Sequence, residues 1–306
     1  MAVKKKVITR RTFLKDSTAV IAGSSIFMVS DSLGFSEKKE SEKKAGAKSK
    51  VILVRNKDVL GKNNQLRGDV LIEMIDQAVT TLLGIGQPVE AWKKLFKATD
   101  KIGIKTNVWR YLRTPVQLEN AIKKRLLDAG LQEENIKIKD RKLYNDKFFQ
   151  NATALINVRP LRTHHWSGIG SLIKNVITFV SEPYLYHDDS CAMLGKLWKL
   201  KGVKNKVRLN ILVVLTPQFY SSGPHSFHPK YVWAYKGLLV GFDPVALDAT
   251  GIRLLQAKRQ EYFGEEKPLN PPPKHVYLAD KLFKLGNSDE RKMDLIKIGW
   301  DEDILI

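Results

Sequence analysis

The chain has 306 residues, is 43% hydrophobic and carries 52 Lys plus Arg against 32 Asp plus Glu, a formal net charge of +20. That length and apolar content allow a sizeable core, and one large domain is the natural expectation. The single cysteine, Cys191, excludes an intrachain disulfide, and it excludes a cysteine-ligated iron–sulfur cluster or a four-cysteine zinc site built by this chain alone. The first 50 residues account for +7 of the charge. The other basic residues are scattered over helical stretches and not gathered in one arm with interleaved aromatics, a pattern that favours a solvated basic surface and disfavours nucleic acid as a partner.

The amino terminus reads as an export signal. Thr9-Arg10-Arg11-Thr12-Phe13-Leu14-Lys15 follows a basic start and precedes an apolar run from Ala19 to Val29, the order of a twin-arginine signal peptide. The run of about eleven residues is short for a spanning helix, which needs roughly 20. Residues 1–34 are therefore expected to be the signal, with the twin-arginine translocase as partner during export and the periplasm as destination. Ser32-Leu33-Gly34 and Ala45-Gly46-Ala47 both offer small residues for cleavage; an uncleaved signal would tether the protein to the membrane. Residues 35–50 are Lys, Glu, Ser, Gly and Ala with almost nothing apolar, and read as a charged linker.

From 51 to 306 short apolar runs alternate with amphipathic segments. Val51–Val54 reads as a buried strand, Asp69–Leu83 as a helix and Lys101–Lys105 as a second strand. Pro115 opens a helix that stops at Gly130. Ile136–Ile138 and Ala154–Val158 read as strands, and so do Leu209–Leu215 and Gly237–Val240; Pro244–Ala257 is a helix. The proline-rich stretch 268–273 precedes a last helix and a terminal strand at Leu295–Ile298. The alternation predicts an α/β fold, a mostly parallel or mixed sheet with helices on both faces.

Chemistry in such folds gathers beyond the carboxyl ends of strands, and four places there are polar. Lys105-Thr106-Asn107 follows a strand and has a turn as its alternative reading. After the strand ending at Val158 come Arg159, Arg162, His164 and His165, then Gly168 and Gly170, then an apparent helix holding Lys174 and Asn175. Glycines admit close approach to a ligand and a helix start favours negative charge, so this segment predicts a cradle for a phosphate or carboxylate. It lacks the endings of a nucleotide P-loop and of a dinucleotide fingerprint. His187, Asp188 and Asp189, joined by a histidine such as His225, suit a divalent metal; an Asp cap on a helix over Ala192–Trp198 explains the same residues without one. Asp243 with Pro244 reads as a helix cap, whereas Asp248 lies deeper in an apolar helix, at a spacing that can turn it toward the strand ends.

With Lys105-Thr106-Asn107, Arg162-Thr163-His164 leading through a glycine turn to Lys174-Asn175, the Gly223-Pro224 turn and Asp243 to Asp248, the chain resembles the bacterial family catalogued as domain of unknown function 362, from about Val51 to the carboxyl terminus. Arg162 replaces the lysine usual in that family. Some relatives add a cysteine-rich ferredoxin segment that this chain lacks. The resemblance implies a fold and a shared polar cluster, with no established reaction. The leading expectation is an exported enzyme that holds a small anionic substrate or cofactor. His164, Lys174 and Asp248 are its candidate catalytic groups, and Lys105, Asn107, Arg162, Gly168, Gly170 and Asn175 its binding positions. A periplasmic binding module for a small anionic solute is the rival, and a basic protein peripheral to the envelope is a third reading.

Overall fold

The computed structural model describes residues 48–221 and 226–306. The twin-arginine motif, both cleavage candidates, Gly223-Pro224 and His225 lie outside these residues. β1 (Ser49–Arg55) begins two residues before its expected start. α1 (Gly68–Leu83) follows, with Val70, Leu71, Met74, Ile75, Ala78, Val79 and Leu82 buried along one stripe and Gly84 ending it in the left-handed region at φ 67°. α2 (Pro88–Leu95), β2 (Ile102–Lys105), α3 (Val116–Asp128) and β3 (Ile136–Lys139) come next. After α4 (Lys147–Asn151) the chain enters β4 (Ala154–His164), which is six residues longer than the apolar run alone predicted. β5 (Gly168–Gly170) turns back on it and leads into α5 (Leu172–Asn175), a single turn where a longer helix was expected. β6 (Val207–Gln218), β7 (Gly237–Gly241), α6 (Pro244–Phe263), α7 (Lys274–Lys281) and β8 (Met293–Gly299) complete the order.

The strands form one mixed sheet in the order β3-β2-β4-β6-β7-β1-β8, with β5 hydrogen-bonded to β4. β3, β2, β4 and β6 are mutually parallel, β7 is antiparallel to both β6 and β1, and β8 pairs parallel with β1. The expected α/β class, with helices on both faces, is what the chain adopts. In β1, Ile52 and Val54 point into a core with Leu71, Ile75 and Trp92, while Val51 and Leu53 point into a second core with Leu172, Leu212 and Leu247. Two covered faces are why the strands read as unbroken apolar runs and not as alternation. Among the described residues no helix is long and apolar enough to cross a membrane.

Candidate anion-binding site

Two polar systems lie side by side on β4. The first runs across the sheet at one level, where Lys105 of β2 is registered with Asn157 of β4 and Asn157 with Asn210 of β6. Lys105 Nζ donates to Asp140 Oδ1 at 2.5 Å, to the Thr106 carbonyl at 2.7 Å and to Asn175 Oδ1 at 3.1 Å. Three acceptors use all three of its protons. Asn175 Nδ2 donates to Asn157 Oδ1 at 2.8 Å, Asn157 Nδ2 to Asn210 Oδ1 at 3.0 Å, and Asn210 Nδ2 to the Phe242 carbonyl at 3.0 Å. Asp140 also accepts from the Val108 amide; although burial works against its charge, Lys105 keeps its carboxyl below the usual range. Lys105 and Asn175 are thus brought together, as members of a closed internal network. Asn107 instead fixes the loop after β2, since its amide donates to Thr114 Oγ1 and its side chain accepts from the Trp109 amide.

Asp248 is completely buried, and its carboxylate accepts from Ser171 Oγ at 2.7 Å and from the Leu172 and Ile173 amides at 2.9 Å each. These are the helix-start N–H groups that were expected to hold a ligand. A side chain 76 residues away from Leu172 occupies them, so the cradle expected there is filled from within. Burial pushes the Asp248 carboxyl up to about 7, against the pull of those three donors and of Arg159. The glycines also act differently from expectation. Gly168 has φ +72° and no room for a Cβ, which would run into the Pro271 carbonyl oxygen; it lets the proline-rich segment approach β5. A Cβ on Gly170 would stand 3.1 Å from Arg159 Nη2 and 3.3 Å from Arg162 Cζ, so this glycine makes room for two guanidinium groups.

Those groups belong to the second polar system. The residues from Arg159 to His164, read from sequence as a loop, continue β4 as a fully buried strand and are fixed by β6 on one side and β5 on the other. Arg159 and Arg162 are each 4% exposed and Lys174 is 3% exposed. Among the described residues none of the three forms an ion pair with a carboxylate, and Nε of both arginines is without a partner. Arg162 Nη1 donates to the Thr163 carbonyl at 3.2 Å, and its guanidinium lies 4.0 Å from the Trp109 ring centre. Among the described residues the hydrogen-bond partner of Lys174 Nζ is Cys191 Sγ at 3.4 Å. Burial lowers Arg159 to about 10 against the pull of Asp140 and Asp248, neither of which it contacts as an ion pair, and burial together with Arg159 lowers Arg162 further. Burial, Arg159 and Arg162 bring Lys174 down to about 8, with Cys191 opposing them. His275 of α7 is completely buried, and both ring nitrogens lack partners among the described residues. Burial and the charges of Lys174 and Arg159 lower it to about 3. Thr163 Oγ1 is a further buried atom without a partner among these residues.

His164 borders the same cluster. Its Nδ1 accepts from the Trp166 amide at 3.2 Å, and burial, with Arg162, Lys174 and Arg159 adding to it, holds the ring neutral, far below the usual histidine range. His187 stacks on Trp166 at 4.0 Å between ring centres and is lowered by burial and Lys174 to about 4. The segment Asp188–Cys191 passes through positive φ at Asp189, Ser190 and Cys191. The 3-10 turn that follows, Ala192–Lys199, has no side-chain cap, which corrects the alternative reading of an Asp helix cap. Asp188 and Asp189 are exposed, and Asp189 pairs with Lys274. Among the described residues no three His, Cys, Asp or Glu side chains come together as a metal site.

Sequence reasoning brought forward Arg162, His164 and Lys174, which do converge. It passed over His275, Asp140, Asn157 and Asn210. The signal for the asparagines was present: each is a lone polar residue inside an apolar strand, Leu155-Ile156-Asn157-Val158 and Leu209-Asn210-Ile211.

No curated protein and no solved structure matches the chain. Residues 102–253 match the family model described as Domain of unknown function (DUF362). That stretch runs from β2 into α6 and holds Lys105, Arg159, Arg162, Lys174, Cys191 and Asp248, together with all four motifs that carried the resemblance, while β1, α1 and the carboxyl-terminal elements fall outside it. Both polar systems on β4 are built from the residues that this family model matches, except for His275.

Proposed function

We propose that this protein is an exported, periplasmic enzyme that holds a small anionic substrate or cofactor on Arg159, Arg162 and Lys174. One observation carries the reading: three cationic side chains, each at most 4% exposed, share a site to which no carboxylate is paired among the described residues. Isolated buried charge is expensive, and proteins normally pair it or bind a counter-ion to it. Arg159 and Arg162 present planar donor forks suited to carboxylate or phosphate. The neighbouring carboxylates do not fill that place, since Asp140 is taken by Lys105 and Asp248 by α5. The export part of the proposal rests on Arg10 and Arg11 within the twin-arginine pattern.

Thermal denaturation with and without phosphate, sulfate and small carboxylates tests the site. The melting temperature of the wild type should rise with at least one of these anions, and Arg162→Met should lose most of that rise. A wild type indifferent to all of them overturns the reading. Fractionation of cells that carry Arg10→Lys with Arg11→Lys tests export: the variant should stay in the cytoplasm, and its arrival in the periplasm would refute the signal.

A further inference from the structure

The two buried lysines of the domain differ in a way that suggests what the anion is. Lys105 spends all three protons on acceptors and faces Asp140. Lys174 is 3% exposed, yet its hydrogen-bond partner is a thiol and the charges of Arg159 and Arg162 oppose its own. A lysine amine is a nucleophile only as the free base, and desolvation beside other cations is what supplies the free base near neutral pH. We propose that Lys174 is the nucleophile of this site and that its ligand is a small 2-oxo acid, bound through an imine to Lys174 with its carboxylate on Arg159 and Arg162. The proposal rests on the anion site proposed above and deepens it.

The ligand class follows from the arrangement. In a 2-oxo acid the electrophilic carbon is bonded directly to the carboxylate carbon, so one small molecule carries both an anion for the guanidiniums and an electrophile for the amine. The slight exposure of Arg159, Arg162 and Lys174 favours a small molecule over one with a bulky tail. In the first step the Lys174 nitrogen lone pair forms a bond to the carbonyl carbon, and the C=O π pair moves to oxygen, which takes up a proton as the nitrogen gives one up. The resulting carbinolamine expels its hydroxyl with a proton as water and becomes the imine. Amine and ketone give imine and water, and no oxidant or reductant takes part. The Cys191 thiol, 3.4 Å from the nitrogen, is placed to relay the proton, and burial keeps it in the protonated form. His275, with two ring nitrogens unpartnered among the described residues, offers an N–H to the oxygen that develops charge.

The test is reductive trapping on the full chain. Protein at neutral pH is incubated with pyruvate and cyanoborohydride, then examined by intact mass and by peptide mapping. The expected result is one adduct, with a mass gain of one pyruvic acid less one oxygen atom, located on Lys174. Lys174 should carry about tenfold or more label than any surface lysine, because surface amines stay protonated, and excess sulfate should suppress the labelling. Mapping on the wild type locates the adduct without needing a variant to fold; Lys174→Met, if folded, should give none. Label spread over surface lysines, or no label, overturns the proposal. A pyruvate-dependent rise in melting temperature without an adduct on Lys174 would sink the imine and leave the anion site standing. Absence of both the adduct and any anion-dependent rise removes the two together.

Discussion

β4 carries two buried polar systems a few residues apart, and they are built on opposite principles. Around Asn157 each donor meets an acceptor: a lysine is matched by an aspartate and the amides pass hydrogen bonds from β2 to β6. Around Arg159 and Arg162 like charges are brought together, and donors are left over. Since both systems are buried to the same extent, solvent does not explain the difference. A closed network of this kind holds strands in register and contributes to one defined fold. A group of like cations opposes folding, and in the proposed reading a bound anion offsets that cost. The comparison sets polar residues bonded within the architecture against those proposed to serve a ligand, and it can be tested residue by residue.

The largest effect is expected in the closed network. Lys105→Met leaves Asp140 buried without its partner, which should cost about 3–5 kcal/mol of stability, measured by urea denaturation. A loss near zero would mean that the network is not structural. Asp248→Asn comes next: it turns one of the two oxygens that accept from the Leu172 and Ile173 amides and the Ser171 hydroxyl into an NH2 donor, and it should cost about 1–3 kcal/mol by the same measurement. Lys174→Met belongs to the other system and should behave oppositely. Its stability should equal or exceed that of wild type, because repulsion with Arg159 and Arg162 is relieved, while affinity for the anion falls by about tenfold, or ~1.4 kcal/mol. Marked destabilisation by Lys174→Met would place that residue among the structural ones. The same residue also predicts a pH dependence. Lys174 is lowered from 10.5 to about 8 in the folded protein, so between these values the unfolded chain binds the extra proton and stability rises with pH, by at most about 1.4 kcal/mol per unit. The cost of that lysine is fully present below pH 8. Stability curves of wild type and Lys174→Met should converge as pH rises from 8 to 10.5, and parallel curves would refute the assignment.

The strands were legible because both faces of the sheet are covered, which leaves apolar runs such as Val51–Val54 and Leu209–Leu215 in plain view. β4 was legible only as far as Val158. Beyond it, Arg159-Pro160-Leu161-Arg162 has the composition of a loop, and only the pairing with β5 and β6 makes it strand; such pairing is a tertiary fact that local composition does not contain. Asp243 was read correctly as a cap, and its carboxylate accepts from the Val245 and Ala246 amides. Asp248 was read correctly as turned inward, but its partner lies on another element, and the sequence offered an anion where the chain supplies its own carboxylate. His275 was missed because one histidine inside a short helix has no pattern around it. The left-handed turn through Asp189, Ser190 and Cys191 contains no glycine or asparagine to announce it.

Arg159 and Arg162 stand on a hydrogen-bonded strand and not on a loop, so they have little freedom to swing apart and escape each other. A partner that neutralises them therefore acts on the whole molecule, stabilising it by about 2.7 kcal/mol when present at a hundred times its dissociation constant. In a cell, a gain of that size changes how much of a chain escapes proteolysis and accumulates. Supply of the anion would thus set the abundance of the protein as well as its occupancy, and starvation for that anion would be read out as loss of the protein itself.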